Sequence, residues 1–136
     1  MPTEPDQATG GADTRRRLLV IDDEQKICGV LVHYFSLKGY DVRSVNNGEE
    51  ALALTGVFRP DVVLLDLLMP GMSGIDLLKR LKQFQPPPTI IMLSAADLSD
   101  VAQGALQLGA DAYVCKPPDL PELERLIQGI WPSSKR

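Results

Sequence analysis

Five residues of this chain carry charged or nucleophilic groups where short apolar runs stop. Asp22 and Asp23 follow Leu18–Ile21, Asp66 follows Val62–Leu65, Ser94 follows Thr89–Leu93, and Lys116 follows Ala112–Cys115. Singly, each has an ordinary explanation: an acid pair caps the next helix, a serine closes a turn, and a lysine before a proline faces water. One shared site explains all of them together. Two unit charges ~4 Å apart repel by about 4 kcal/mol at an effective dielectric of 20, so three carboxylates at one rim need compensation. A hard divalent cation, Mg2+ or Mn2+, supplies it, since magnesium accepts one or two carboxylates, keeps waters and leaves room for phosphate oxygens. Lys116 adds a second positive group as a point charge outside the metal shell. An incoming phosphoryl group matches that pair of cations, and a carboxylate is a competent nucleophile for it. The Ser94 hydroxyl could donate a hydrogen bond to a phosphoryl oxygen.

The elements that must position these groups alternate regularly. Leu18–Ile21 is uninterruptedly apolar, as a strand covered on both faces would be. Residues 24–38 place Ile27, Val30, Leu31 and Tyr34 at i, i+3, i+4 and i+7, a helix with one buried stripe, which Gly39 stops. Residues 40–45 alternate as a strand. Asn47 with Glu50 resembles a capping box opening a helix to about Phe58. Val62–Leu65 is the most apolar strand. A third helix is expected over about residues 73–84, ended by Pro86-Pro87-Pro88. Thr89–Leu93 is a fourth strand, 98–108 a fourth helix stopped by Gly109, and Ala112–Cys115 a fifth strand. Asp119 with Glu122 caps a last helix whose Leu120, Leu123, Ile127 and Ile130 share a face, with Trp131 closing its end. Five β–α units in series predict an α/β fold, a doubly wound five-stranded parallel sheet with helices on both faces. Ligands on such sheets sit at the carboxyl ends of the strands, the rim where all five residues fall.

Composition narrows the function. The chain has 136 residues, 44% of them apolar, enough for one core. Its net charge is -4, and residues 1–17 balance three acids with three bases, so the deficit belongs to the folded part. An acidic domain is poorly suited to direct nucleic-acid binding. Arg15–Arg17 reads as a solvated lead-in. No apolar run approaches the ~20 residues needed to span a bilayer, and no apolar signal segment is visible, so a cytoplasmic location and no membrane partner are expected. Cys28 and Cys115 lack disulfide or zinc spacing and are expected to pack as small apolar residues. His33, the only histidine, lies at the edge of its helix stripe. Residues 1–14 show no apolar period and, with Arg15 and Arg16, make a disordered tail (1–16). The domain spans 17–131 and a short tail 132–136.

Asp22-Asp23 after LLVI, DLLMPGMSG from Asp66 to Gly74, LSA from Leu93 to Ala95 and YVCKPP from Tyr113 to Pro118 together resemble the receiver domain of two-component response regulators (CheY-like), over about residues 17–131. The resemblance implies a flavodoxin-like (βα)5 sheet of strand order 2-1-3-4-5. It implies Asp66 as phosphoacceptor, Asp23 as a direct Mg2+ ligand, Asp22 as a direct or water-mediated one, and the Leu68 carbonyl completing the protein ligands. Ser94 stands at the family's Thr/Ser position, Lys116 at its lysine, before a Lys-Pro bond that is typically cis, and Tyr113 at its aromatic switch. Phosphorylation by a histidine kinase or histidine phosphotransfer protein would draw Ser94 to the phosphate, vacate space beneath the fourth helix and let Tyr113 rotate inward. The output partner would engage the face of the fourth helix, fifth strand and fifth helix (α4-β5-α5), through which such domains can also form a homodimer. Leu68 and Ala96, two beyond the acceptor and two beyond Ser94, cannot orient water, which implies slow self-dephosphorylation.

Two other readings compete. An aspartyl-phosphate phosphatase on a similar sheet would have DxD after the first strand, where this chain has adjacent Asp22-Asp23. A pseudo-receiver, used only for contacts, would not need the complete acid, serine and lysine set. Neither a Walker lysine loop nor GxGxxG occurs. No output domain follows Trp131, which leaves a stand-alone receiver or a piece of a larger regulator.

Overall fold

The computed structural model describes residues 15–69, 71–95 and 99–132. Five strands, β1 (Arg17–Ile21), β2 (Asp41–Val45), β3 (Val62–Asp66), β4 (Thr89–Ser94) and β5 (Ala112–Cys115), alternate with five helices. These are α1 (Gln25–Leu37), α2 (Gly48–Phe58), α3 (Gly74–Leu81), α4 (Ser99–Gln107) and α5 (Leu120–Ile130). All strand pairs are parallel, in the order β2-β1-β3-β4-β5, as expected.

The two-residue period of a strand divides the core into two layers. Leu19, Ile21, Val63, Leu65, Ile90 and Met92 face one way and pack with Ala51 and Phe58 of α2, Leu77, Leu78 and Leu81 of α3, and Ala105 of α4. Leu18, Val20, Val62, Leu64, Ile91 and Leu93 face the other way and pack with Cys28, Leu31 and Phe35 of α1 and Leu123 and Ile127 of α5. Coverage on both faces is why the three central strands read as unbroken apolar runs.

Helix ends follow local chemistry. Asn47 Oδ1 accepts the Glu50 N–H at 2.9 Å, Ser73 Oγ the Asp76 N–H at 3.1 Å, and Asp119 Oδ1 the Glu122 N–H at 3.0 Å. Gly39, at φ 93°, ends α1 as anticipated. Three expectations are corrected. The buried stripe of α1 is Cys28, Leu31 and Phe35, and Val30 is 52% exposed. A lone apolar residue beside a true stripe mimics its period. The third helix ends at Leu81, where the Gln83 and Phe84 amides bond to Arg80 and Leu81 in tighter turns. Cys115 is exposed, because the edge strand β5 leaves its last residue uncovered.

The amino-terminal edge of the sheet is tied together without help from the opposite rim. Asp61 Oδ2 accepts the Arg17 N–H, and the Asp61 carbonyl accepts the Thr89 N–H. Arg16 stacks on Trp131, which also meets Tyr40 edge-on. The first fourteen and last four residues, Pro70, and residues 96–98 lie outside the described part, and with them the start expected for the fourth helix and the Ala96 reading. No helix among the described residues is long and apolar enough to cross a membrane.

Candidate functional site

Parallel register brings the strand ends level. Ile21 is paired with Leu65, Asp66 with Leu93, and Ser94 with Cys115, so Asp22, Asp66, Ser94 and Lys116 follow one another across a single rim. Carboxylate oxygens of Asp22, Asp23 and Asp66 all lie within 4.8 Å of one another. Asp22 and Asp66 are buried, whereas Asp23 faces solvent.

Lys116 closes the group. Its Nζ is 2.9 Å from Asp22 Oδ2, 3.0 Å from Glu24 Oε1 and 3.3 Å from Asp66 Oδ2, with the side chain only 14% exposed. Its backbone N–H donates to the Ser94 carbonyl at 2.7 Å, and the Lys116-Pro117 peptide is cis. Asp22 is held from three sides: its N–H donates to Val45, its Oδ1 accepts the Glu24 N–H at 2.9 Å, and its carbonyl lies 3.2 Å from Cys28 Sγ. Asp66 Oδ1 accepts the Leu68 N–H at 3.2 Å. Gly74, at the start of α3, lets the turn after Asp66 fold back. A Cβ there would sit 2.6 Å from the Leu67 carbonyl oxygen and 2.9 Å from that of Asp66.

Charge is unbalanced at this rim. Four carboxylates, those of Asp22, Asp23, Glu24 and Asp66, surround one ammonium, a formal excess of three negative charges when all are ionised. Burial, followed by the nearby Asp22 charge, pushes the Asp66 carboxyl up to about 6, against the opposing pull of the Leu68 amide and Lys116. Burial alone would lower the Lys116 ammonium, but its contacts with Asp22, Glu24 and Asp66 outweigh that and raise it. Asp22 Oδ2 is buried and meets Lys116 as an ion pair without hydrogen-bond geometry, which leaves it lone-pair capacity. Hard oxygen donors, excess negative charge and an unsatisfied buried oxygen fit a divalent cation such as Mg2+ or Mn2+.

The remaining expected residues stand nearby. Ser94 is buried, with its Oγ donating to the Ala95 carbonyl at 3.2 Å. Leu68 follows Asp66 with a side chain 64% exposed. Tyr113 is half-buried against the layer that includes α4 residue Ala105, with its hydroxyl 3.1 Å from Cys115 Sγ. Glu24 was not singled out by sequence reasoning, because an acid next to two others reads as one more cap.

Comparison with known proteins places this geometry. Residues 18–128 match the family model described as response regulator receiver domain. The chain is 39% identical to the regulatory protein AtoC of Escherichia coli K12 over 82% of its own length and 24% of that protein's. It is 39% identical to the DNA-binding response regulator MtrA of Mycolicibacterium smegmatis over 76% of this chain and 45% of that protein. It thus spans about a quarter of one of these curated relatives and just under half of the other. Among solved structures, the Francisella response regulator 1452 receiver domain superposes with TM-score 0.76 at 33% identity, covering 84% of this chain and 94% of that one. A CheY-like receiver domain protein from Methanospirillum hungatei JF-1 gives TM-score 0.80 at 27% identity, covering 85% and 93%. The five-stranded parallel sheet of order 2-1-3-4-5 is therefore the CheY-like, flavodoxin-like one, and this chain belongs to the response regulator receiver domain family of two-component signalling.

Proposed function

We propose that Asp66 is the phosphoacceptor of a phosphorylation-controlled switch. A carboxylate oxygen of Asp66 attacks phosphorus, the P–N bond of a phosphohistidine breaks, and the imidazole nitrogen leaves with the electron pair. The donor is a histidine kinase or histidine phosphotransfer protein. Asp22, Asp23, Asp66 and the Leu68 carbonyl would hold Mg2+ or Mn2+, which when bound offsets charge on the transferring oxygens. The Lys116 ammonium pairs with one phosphoryl oxygen, and the Ser94 hydroxyl turns from Ala95 to bond another. Tyr113 then follows into the space that Ser94 leaves, which biases the α4-β5-α5 face between two arrangements.

The observation that supports this most directly is the placement of Lys116 Nζ, 3.3 Å from Asp66 Oδ2 and 2.9 Å from Asp22 Oδ2. An ammonium so placed lies within reach of an anion built on Asp66. The output acts through the α4-β5-α5 face, by partner contact or by homodimerisation, in the cytoplasm. Since its relative MtrA is a DNA-binding response regulator, any nucleic-acid contact would belong to a neighbouring output domain. Intact mass after incubation with acetyl phosphate and Mg2+ tests the assignment. One added phosphoryl group is expected in the wild type and none in Asp66→Ala; an unmodified wild type, or the same adduct in the variant, rejects it.

A further inference from the structure

Glu24 occupies the N-cap of α1 with extended backbone, yet its side chain makes no capping hydrogen bond. Glutamate is not a favoured cap, and here the carboxylate reaches away from its own helix. Its Oε1 lies 3.0 Å from Lys116 Nζ, 92 residues along the chain. The first turn of α1 carries no acidic residue either.

Three carboxylates surround this ammonium, Asp22 at 2.9 Å, Glu24 at 3.0 Å and Asp66 at 3.3 Å, and of these Glu24 alone accepts a hydrogen bond from it, so that contact fixes how its three N–H donors point. A phosphoryl oxygen on Asp66 needs those donors turned toward it. Asp22 is fully buried and cannot exchange Lys116 for water. Glu24 is 57% exposed, so its contact is the one that solvent replaces at small cost. Resting on the reading of Asp66 as phosphoacceptor, we infer that Glu24 is a positioning residue: it latches Lys116 in the unphosphorylated protein and yields it when the phosphoryl group arrives. The latch slows acceptance from every donor, because the lysine must be released whichever donor delivers the group.

Two variants separate contact from charge. Glu24→Gln removes the charge and the ion pair. Glu24→Asp keeps the charge, is one methylene too short to span to Lys116, and restores a good cap. Rates of Asp66 phosphorylation would be measured by intact mass with Mg2+ and two small donors of different charge, acetyl phosphate and phosphoramidate. Both variants should react about two- to fivefold faster than wild type, with both donors, the size expected for giving up an exposed ion pair. Thermal unfolding of Glu24→Asp should show no loss of stability, so that faster reaction cannot come from a loosened fold. Unchanged rates in both variants overturn the latch. Acceleration by Gln alone, or with one donor alone, also overturns it, since charge repulsion then accounts for the effect. A wild type that gains no phosphoryl group, or an Asp66→Ala variant that does, instead removes the phosphoacceptor reading beneath it.

Discussion

Lys116 Nζ stands 2.9 Å from Asp22 Oδ2, and the carboxylate it meets is fully buried. The contact joins the ends of β1 and β5, strands that are not neighbours in the sheet. Removing one partner of a buried pair leaves the other uncompensated, at a cost of about 3–5 kcal/mol. Lys116→Met should therefore lose about that much stability in metal-free buffer, read from urea unfolding, and Mg2+ should restore part of it. A loss below about 1 kcal/mol would show that this ion pair does not hold the rim together.

The Asp66 carboxyl gives stability a pH dependence of definite sign. Its folded-state value, about 6, exceeds the ordinary 3.8, so folding binds the proton. Its unfavourable contribution is absent below about 3.8, grows between 3.8 and 6, and is complete above that, where it reaches about 3 kcal/mol. Asp66→Asn should match wild type near pH 3.5 and be more stable by up to that amount at pH 7.5, both in EDTA. Adding Mg2+ should narrow the difference by stabilising the wild type more than the variant, which lacks one of the proposed ligands. Equal unfolding midpoints at pH 7.5 without metal would contradict the buried charge.

Gly74 is needed for closeness of backbone. An alanine Cβ would meet the Leu67 carbonyl oxygen at 2.6 Å, and neither atom belongs to a flexible side chain. Gly74→Ala should cost about 1–3 kcal/mol by overpacking. Because the displaced turn carries Asp66 and Leu68, phosphorylation by acetyl phosphate should slow as well. A fully stable variant with wild-type rate would disprove the argument.

Leu68 projects a largely exposed apolar side chain two residues beyond Asp66, the proposed phosphoacceptor. It has no group with which to direct water at phosphorus, so the wild-type acyl phosphate should persist for minutes or longer. Leu68→Asn should shorten its lifetime about five- to tenfold, the effect of one well-placed hydrogen bond. The lifetime follows from loss of the phosphorylated mass after the donor is removed. Wild-type decay within seconds would reject the idea.

Much of this was legible because a buried parallel strand has so few ways to end. The runs before Asp22, Asp66, Ser94 and Lys116 are unbrokenly apolar, and the polar residue that stops each one marks the rim. The inner residues of α1 were harder to read. Val30 satisfies the helical period alongside Leu31, and only packing against β1 shows that Cys28 and Phe35 are the ones enclosed. Glu24 was hidden for another reason: its partner lies 92 residues away and is brought near by strand order, which local spacing does not encode. Arg43 and Arg59 are exposed, yet Arg43 lies 4.4 Å over the Phe58 ring and Arg59 Nη2 bonds the Gln85 carbonyl, contacts that residue type alone does not reveal.

The two cysteines differ in access in a way that has practical value. Burial pushes the Cys28 thiol up and seals it beside Asp22, whereas Cys115 is open to solvent. A maleimide dye offered to the native protein should therefore attach at one position, next to Lys116 and against the Tyr113 hydroxyl. The molecule carries its own handle for an optical reporter of β5, one that would register any change of partner by the neighbouring lysine.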